Sequence, residues 1–326
     1  ELLAKSRAES ARRRAQDERL AVAAQWNKRI QIADAKEKNM DIRNLEGSIV
    51  ALVTPFKKDG SVDFDALERL IDFHLQNGTD AIIVCGTTGE ASTMSYHERM
   101  RTVEFCVEHV NGRVPVIAGS GSNATENAMT LSRDAERAGA DGLLLVTPYY
   151  NKASQSGLIR HYLAVADAVQ IPMILYDVPS RTGVTMAPET YAELARHPNI
   201  NGVKEASGNL GTIQRTRNLC PEDFFIWSGN DDETVPICAL GGKGVISVVA
   251  NILPAEMHTL VKLCLDNNFA QAGTLQLALK DFCDAMFCDV NPIPVKTALN
   301  LLGWDVGPLR LPLCDPTEAG LEKIRA

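Results

Sequence analysis

From Ser48 onward, short apolar runs rich in valine and isoleucine alternate with amphipathic stretches of helical length. Apolar runs of this kind predict strands buried on both faces, and helices between them predict a parallel sheet. The predicted strands are Ile49–Val53, Ala81–Cys85, Val114–Ala118, Leu143–Val146, Met173–Tyr176, Asn201–Lys204, Phe224–Trp227 and Gly244–Val248. The helical patterns between them include Asp65–Gln76, Tyr96–His109, Ala124–Ala138 and Gln155–Val169.

Eight such units over roughly 210 residues predict an α/β fold, the closed (β/α)8 TIM barrel. An open doubly wound sheet is the alternative, and it is disfavoured because no glycine-rich dinucleotide turn follows the first strand. After Pro254 the pattern is helical only, with predicted helices Ala255–Asp266, Phe269–Phe287, Ile293–Leu302 and one from Pro316 to the end. We therefore expect a catalytic barrel over residues 40–253 and a C-terminal helical extension over residues 254–326.

The first 39 residues have a different composition. They contain no glycine or proline and are rich in Ala, Arg, Glu, Lys and Gln, which favours a continuous helix. Met40 follows, and we interpret it as the start of the natural protein. We interpret residues 1–39 as an appended helix, an artificial fusion without a chemical role. An organelle transit peptide is the alternative, but acidic residues within this stretch argue against it.

Composition excludes several classes of function. The 326 residues carry a formal charge of -8 and 45% are hydrophobic. An acidic chain without a basic stripe is a poor nucleic-acid binder, and no apolar run is long enough to span a membrane. The eight cysteines are scattered without a C-x-x-C motif, and Cys85, Cys106 and Cys238 lie within apolar segments. These features predict reduced core cysteines in a cytoplasmic protein.

The active site of a TIM barrel forms where the strands end at their C-terminal face. Polar segments follow the predicted strands there: GTTGE (86–90), GSGSN (119–123), TPYYN (147–151), YDVPSRTG (176–183), KEASGN (204–209), SGND (228–231) and SVVAN (247–251). Lys204 ends the sixth strand. Desolvation would lower the pKa of its amine and free the lone pair to attack a carbonyl. A structural lysine paired with a buried carboxylate such as Glu90 is the alternative.

Four further strand-end features have a chemical and a structural interpretation. Tyr176 is either a proton carrier beside Lys204 or an aromatic core residue. The turn around Thr87 and Thr88 can bind a small carboxylate, and no lysine follows it at the spacing of a phosphate loop. Arg181 either grips a second carboxylate or is a solvated loop cation. Tyr149 and Tyr150 are adjacent, so their side chains point in opposite directions. Either one ring enters the site, or both are ordinary packing aromatics.

The sequence gives no reason to expect a metal site. None of the histidines forms an H-x-x-x-H pair, and each lies in a helical or helix-end segment. They are His74, His97, His109, His161, His197 and His258.

The motifs GTTGE, TPYYN, YDVPSRTG and GVKEASGN, in this order on strands two, four, five and six, resemble those of the pyruvate-dependent class I aldolases. The resemblance is to the superfamily of dihydrodipicolinate synthase and N-acetylneuraminate lyase. It covers residues 47 to about 320 and includes NPIPVK (291–296) and LRLPL (309–313). Within the superfamily the chain is most similar to the dihydrodipicolinate synthase branch, because the sialic-acid lyases do not usually carry the Ser-Arg-Thr-Gly segment that contains Arg181.

The resemblance implies a lyase that condenses pyruvate with L-aspartate 4-semialdehyde in lysine and diaminopimelate biosynthesis. Lys204 would form a Schiff base with pyruvate, so that no metal or organic cofactor is needed. Tyr176 would carry protons, with Thr88 and Tyr150 completing the relay. The family's tyrosine at the position of Tyr150 reaches across a dimer interface, so we expect a homo-oligomer, a dimer or a dimer of dimers.

The resemblance also assigns the substrate contacts. Thr87 and Thr88 would hold the pyruvate carboxylate, Arg181 would meet the carboxylate of the semialdehyde, and Gly229 and Ile246 match positions that line the pyruvate pocket.

Lysine-inhibited members of the family have an allosteric pocket whose matching positions include Tyr96, Arg99, Asn123, Asn127 and Tyr149. Asn127 stands where inhibited members carry a glutamate that binds the ammonium of the effector. Losing that carboxylate next to a cation predicts weak or absent inhibition by lysine. Asp177 replaces a frequent asparagine, and neither it nor Glu205 receives a role.

Two alternative functions remain open at this level. One is another aldolase of the superfamily, acting on N-acetylneuraminate or a 2-keto-3-deoxy acid. The other is an inactive barrel that serves as an assembly scaffold, which the appended segment makes worth weighing.

Overall fold

Eight parallel strands close into a barrel in the part of the chain that the computed structural model describes, residues 40–326. The helix predicted for residues 1–39 lies outside the described residues. Each strand pairs with the next along the chain, and the eighth pairs with the first, so the predicted TIM barrel is confirmed. The strands are β1 (Gly47–Ala51), β2 (Ala81–Val84), β3 (Val116–Gly119), β4 (Gly142–Val146), β5 (Met173–Asp177), β6 (Ile200–Glu205), β7 (Phe225–Ser228) and β8 (Gly244–Ser247).

Helices surround the barrel and continue beyond its last strand. They are α1 (Phe64–Gln76), α2 (Tyr96–Val110), α3 (Thr125–Arg137), α4 (Gln155–Ala166), α5 (Pro179–Thr182), α6 (Pro188–Leu194), α7 (Leu210–Leu219), α8 (Thr234–Ala239), α9 (Pro254–Leu265), α10 (Phe269–Ala278), α11 (Lys280–Met286), α12 (Ile293–Leu301) and α13 (Glu318–Arg325). The single helix predicted over 269–287 is divided at Leu279. The division lets α10 pack on α9 while α11 packs on α12 and α13. Within the described range no helix is both long and apolar enough to cross a membrane.

Alternation along the strands separates an inner core from an outer one. Side chains such as Ile49, Ile174 and Ile246 fill the barrel interior, whereas Leu175 and Val203 pack against the helices. Because successive side chains in a strand point to opposite faces, this pattern directs Tyr176 and Lys204 inward. All eight cysteines are free, and Cys85, Cys106 and Cys238 are buried as predicted.

Two glycines allow the barrel to close between β8 and β1. Gly244 pairs with Gly47 at the start of the two strands and has a φ of +144°, which other residues rarely adopt. A Cβ atom on Gly244 would lie only 1.9 Å from the carbonyl oxygen of Gly47. The close approach of these backbones therefore requires glycine at this position.

Candidate active site

A cavity of about 320 Å³ opens at the C-terminal ends of the strands. Its wall combines the turn after β2, the ends of β4 and β5 and the first turn of α5. The lining residues used below are Thr87, Arg99, Tyr149, Tyr176 and Arg181. The site thus lies where the barrel rule places it.

Lys204 and Tyr176 are cross-strand partners on β6 and β5. The Nζ atom of Lys204 lies 4.5 Å from the ring centroid of Tyr176, and both side chains are almost fully buried. The ammonium form of the lysine is attracted by the face of the ring. An amine and a phenol are thereby held together inside the barrel mouth.

The pKa of Lys204 is lowered to about 8, chiefly by burial and in smaller part by the nearby guanidinium of Arg181, while the carboxylate of Asp231 opposes both effects. A substantial fraction of the amine is therefore neutral near physiological pH. The alternative interpretation of Lys204, an ion pair with Glu90, is wrong for this structure. Within residues 40–326, Glu90 pairs instead with Lys296, whose Nζ lies 2.7 Å from Glu90 Oε1.

The Glu90–Lys296 pair anchors the turn after β2. Both side chains are essentially inaccessible to solvent, and Lys296 also donates to the carbonyl oxygens of Thr54 and Pro308. Glu90 itself has a φ of +53°, in the left-handed region. A helix of the C-terminal extension therefore fixes the shape of a turn that belongs to the barrel.

The two threonines of this turn occupy different environments. Thr87 lines the cavity and its hydroxyl hydrogen bonds with Tyr176. Thr88 is buried and accepts a hydrogen bond of 2.9 Å from Asn291 Nδ2. The structure therefore differs from the relay expected from the sequence, in which Thr88 served Tyr176, because consecutive side chains point in opposite directions.

The backbone of the same turn offers donors for a carboxylate. Across the described residues, the N–H groups of Thr87 and Thr88 donate to no protein acceptor. Backbone N–H groups that converge in a turn form a natural anion site.

The pKa of Tyr176 is raised, first by burial, and is lowered in part by Arg181 and by the hydrogen bond with Thr87. The phenol therefore remains protonated near neutral pH and can donate a proton.

Asn291 is a site residue that the sequence analysis missed. Its side chain binds Thr88, and its carbonyl oxygen accepts a hydrogen bond of 3.0 Å from Arg181 Nη2. It thus links the turn after β2 to the loop after β5. Its only signal in the sequence is its place in the NPIPVK segment, which had no position in the barrel pattern.

Gly229 and Ile246 are buried near the ends of neighbouring strands. Ile246 belongs to the inner core on β8, and Gly229 directly follows β7. A Cβ atom on Gly229 would come within 2.7 Å of the Cβ of Ala206, so glycine is needed where the ends of β6 and β7 approach each other. Neither residue is among the lining residues of the cavity.

The position of Tyr150 does not bring its ring to the cavity of its own chain. The side chain is 90% exposed, and the residue has a φ of +73°. Tyr149, by contrast, lines the cavity together with Arg99. The backbone therefore turns the two neighbouring rings apart.

The residues matched to the allosteric pocket are only partly brought together. Arg99 lies at the cavity and donates 2.7 Å to the carbonyl of Gly119. Tyr96 instead donates its hydroxyl to Asp134. Asn127 is exposed on α3, and the carbonyl of Asn123 accepts from the Asn151 side chain.

One group of possible metal-ligating side chains lies away from the cavity, at the surface of α1 and α2. It consists of Glu68, Asp72 and His109. His109 Nε2 is 2.9 Å from Asp72 Oδ1, and Arg113 also approaches this carboxylate. The contacts are those of an ordinary surface ion-pair network.

The chain resembles known proteins over most of its length. The sequence model of the family described as "Dihydrodipicolinate synthetase family" matches residues 44–326. A protein of Caldicellulosiruptor bescii named 4-hydroxy-tetrahydrodipicolinate synthase is 55% identical over 280 residues, which cover 86% of this chain and 95% of that protein. A protein of Clostridium novyi with the same name is 51% identical over 280 residues, covering 86% of this chain and 94% of that protein.

Solved structures give the same result. A crystal structure of dihydrodipicolinate synthase from Aquifex aeolicus has a TM-score of 0.84 at 46% identity, covering 86% of this chain and 96% of that one. One from Thermotoga maritima also has a TM-score of 0.84, at 42% identity and the same two coverages. With a family match over 44–326 and relatives of this similarity, the chain belongs to the dihydrodipicolinate synthetase family.

Proposed function

We propose that the chain is a lyase that catalyses the 4-hydroxy-tetrahydrodipicolinate synthase reaction, the condensation of pyruvate with L-aspartate 4-semialdehyde. The observation that carries the proposal is the buried Lys204, with a pKa lowered to about 8, beside Tyr176 at the mouth of the barrel. A neutral lysine amine in such a place is the nucleophile that Schiff-base chemistry requires.

The proposed reaction begins when Lys204 attacks the ketone carbon of pyruvate. Loss of water leaves an imine whose cationic nitrogen draws electrons from the methyl carbon. A methyl proton leaves, and the enamine carbon then forms the new bond to the aldehyde carbon of the semialdehyde. Finally the amine of the adduct replaces Lys204 at the imine carbon, which releases the enzyme and closes the ring.

The remaining residues have roles that follow from their places. The free N–H groups of Thr87 and Thr88 would bind the pyruvate carboxylate, and Gly229 and Ile246 would shape the floor of the pocket. Tyr176 would move protons, with the Thr87 hydroxyl rather than that of Thr88 as its partner. Arg181, held by Asn291 at the cavity wall, would bind the carboxylate of the semialdehyde.

Borohydride reduction in the presence of pyruvate tests the nucleophile. We expect an irreversible pyruvyl adduct on Lys204, located by peptide mass spectrometry, and no adduct in Lys204→Ala. An adduct on another lysine, or full activity in Lys204→Ala, would disprove the assignment. A substrate panel then separates this reaction from other superfamily aldolases: aspartate semialdehyde with pyruvate should react, whereas N-acetylneuraminate and 2-keto-3-deoxy acids should not be cleaved.

The exposure of Tyr150 supports a homo-oligomer in which this ring enters the cavity of a second copy. Mixing Lys204→Ala with Tyr150→Phe tests the arrangement. In a two-fold symmetric dimer, one site of each mixed dimer would contain both intact residues, so activity should recover to about a quarter of the wild-type value. No recovery in subunits shown to exchange would contradict it.

Weak feedback inhibition is also part of the proposal. Asn127 offers no negative charge to a lysine effector, and the Arg99 guanidinium repels its ammonium group. L-lysine should lower the initial rate little, and Asn127→Glu should increase the inhibition. Strong inhibition of the unaltered protein by sub-millimolar lysine would contradict this part.

A further inference from the structure

Two buried carboxyl groups lie directly behind the proposed catalytic pair. Asp177 follows Tyr176, Glu205 follows Lys204, and the two acids are themselves cross-strand partners. Since alternate side chains point to opposite faces, the acids face the helix layer while Tyr176 and Lys204 face the barrel interior. Both acids are at most 2% exposed. Two adjacent buried negative charges would be costly, and this arrangement has to avoid them.

Among residues 40–326, a single hydroxyl joins the two acids. Tyr191 Oη on α6 lies 3.0 Å from Asp177 Oδ2 and 3.3 Å from Glu205 Oε2. A phenol has a single hydrogen, so it can donate to one carboxyl at a time. The other contact forms a hydrogen bond only if that carboxyl itself brings a proton.

The other hydrogen bonds decide which acid is protonated. Asp177 Oδ2 accepts from the Thr185 hydroxyl at 2.7 Å and the Met186 N–H at 3.0 Å, in addition to Tyr191. Three donors on one oxygen favour the carboxylate form. Glu205 Oε1 accepts from the Ser207 N–H at 2.8 Å, and the Ser207 hydroxyl also donates to this carboxyl. Glu205 Oε2 lies toward Tyr191 and can carry a proton in that direction.

Burial raises the pKa of both acids, and the hydrogen bonds from Thr185, Met186 and Tyr191 offset part of the rise at Asp177. Burial, together with the charge of Asp177, raises the pKa of Glu205 to about 7, and burial keeps Tyr191 neutral by raising its pKa. The titratable groups that face the acids are Tyr191 on α6 and Tyr162 on α4. Tyr176, on the opposite face of β5, also feels the charge of Asp177. In the described part of the chain no cation pairs with either acid.

We propose that Glu205 carries a proton and donates it to Tyr191, which in turn donates to Asp177. This hydrogen-bond chain fixes the register of β5 against β6 and so makes Asp177 and Glu205 positioning residues for Tyr176 and Lys204. The positioning role rests on the proposed function of those two residues. When Glu205 loses this proton, two negative charges lie behind the site, and the Tyr191 hydroxyl can donate to only one of them.

Glu205→Gln tests the chain because glutamine imitates the protonated acid. Its amide oxygen can accept from Ser207 while its NH2 group donates to Tyr191, at every pH. A group whose folded-state pKa is raised loses its stabilising contribution as pH rises from its ordinary pKa to the raised one. The quantity to follow by calorimetry is the Tm of Glu205→Gln minus the Tm of the unaltered protein. This difference should increase by a few degrees between pH 5 and pH 7.5. An unchanged difference would overturn the protonation of Glu205.

The ratio of kcat values tests the positioning role, since the titration of Lys204 is common to both proteins and cancels. We expect kcat of Glu205→Gln over kcat of the unaltered protein to rise roughly threefold or more between pH 6 and pH 8.5, with little change in the KM for pyruvate. Asp177→Asn, which removes the charge that opposes ionisation of Glu205, should show the same trend. A flat ratio in both variants would overturn the positioning role.

Two controls separate this role from a general loss of packing. Tyr191→Phe should lower kcat at pH 6, whereas Tyr162→Phe, which loses a buried hydroxyl bound to the carbonyl of Leu145, should not. Equal losses in both would overturn the role. Borohydride trapping with pyruvate accompanies each assay. A labelled Lys204 with a flat kcat ratio overturns the positioning role alone, while an unlabelled Lys204 in every protein overturns the proposed function and the role that rests on it.

Discussion

Lys204 Nζ lies 4.5 Å from the centre of the Tyr176 ring, across the pairing of β5 with β6. Tyr176→Phe keeps this ring contact and removes only the hydroxyl. We expect kcat to fall by about 10²- to 10⁴-fold, because the proton carrier is lost. The adduct with pyruvate should still form on Lys204, only more slowly. Tyr96→Phe, at a hydroxyl bound to Asp134 outside the cavity, is the control and should keep normal kcat.

The pH dependence of imine formation should follow the lysine. With a pKa of about 8 for Lys204, the rate of borohydride trapping with subsaturating pyruvate should rise about tenfold per pH unit below that value and level off above it. The neutral amine is the reactive form, so the rate must increase with pH. A trapping rate independent of pH between 6 and 8 would contradict the assignment.

Two charge changes should displace this profile in opposite directions. Arg181→Gln removes a cation that lowers the pKa of Lys204, so its profile should move to higher pH. Asp231→Asn removes an anion that raises that pKa, and its profile should move to lower pH. Asp232→Asn, which alters the exposed acid next to Asp231, is the matched control for Asp231→Asn. Displacements in the same direction would show that the two charges do not act on Lys204 as the structure implies.

The hydrogen bond from Asn291 to Thr88 should matter for pyruvate binding. Asn291→Ala leaves the backbone contact with Arg181 and removes a bond worth about 0.5–1.5 kcal/mol, which corresponds to a rise of about two- to tenfold in the KM for pyruvate. Asn300→Ala is the control, since its side chain donates to the carbonyl of Gly307 in the same extension. Equal KM values for pyruvate in Asn291→Ala and Asn300→Ala, measured by steady-state kinetics, would refute the prediction.

The buried pair of Glu90 and Lys296 should contribute to stability and to the site at once. Lys296→Met leaves an unpaired buried carboxylate and should lower the free energy of unfolding by about 3–5 kcal/mol. The double variant Glu90→Gln/Lys296→Met, without a buried charge, should lose less. Urea unfolding measures both. Equal losses in the single and double variants would show that the pair is not coupled.

Much of this arrangement is visible in the sequence, for identifiable reasons. The apolar runs give the strands to within one or two residues, and the barrel rule then selects Lys204, Tyr176 and Arg181, because strand order determines which ends meet. The partner of the Tyr176 hydroxyl was not identified in this way: Thr88 was expected, and Thr87 occupies that place in the structure. Which of two adjacent side chains points inward depends on the turn geometry, and the sequence does not specify it.

Contacts between distant segments are the other part that sequence reasoning missed. Asn291 binds a threonine 203 positions earlier in the chain, and Lys296 binds a glutamate 206 positions earlier. No local pattern relates such positions. The charge of Asp231 near Lys204 was missed as well, although its SGND segment lies at a strand end that the barrel rule directs attention to.

The contacts of Asn291 and Lys296 also impose an order on biosynthesis. A nascent chain that has emerged from the ribosome as far as β8 contains every strand of the barrel, the lysine and the tyrosine. It still lacks the groups that hold Thr88, Arg181 and Glu90 in place. Translation must proceed past residue 296 before these holding contacts can form, so a chain truncated after the barrel would have its reactive amine without a finished binding turn.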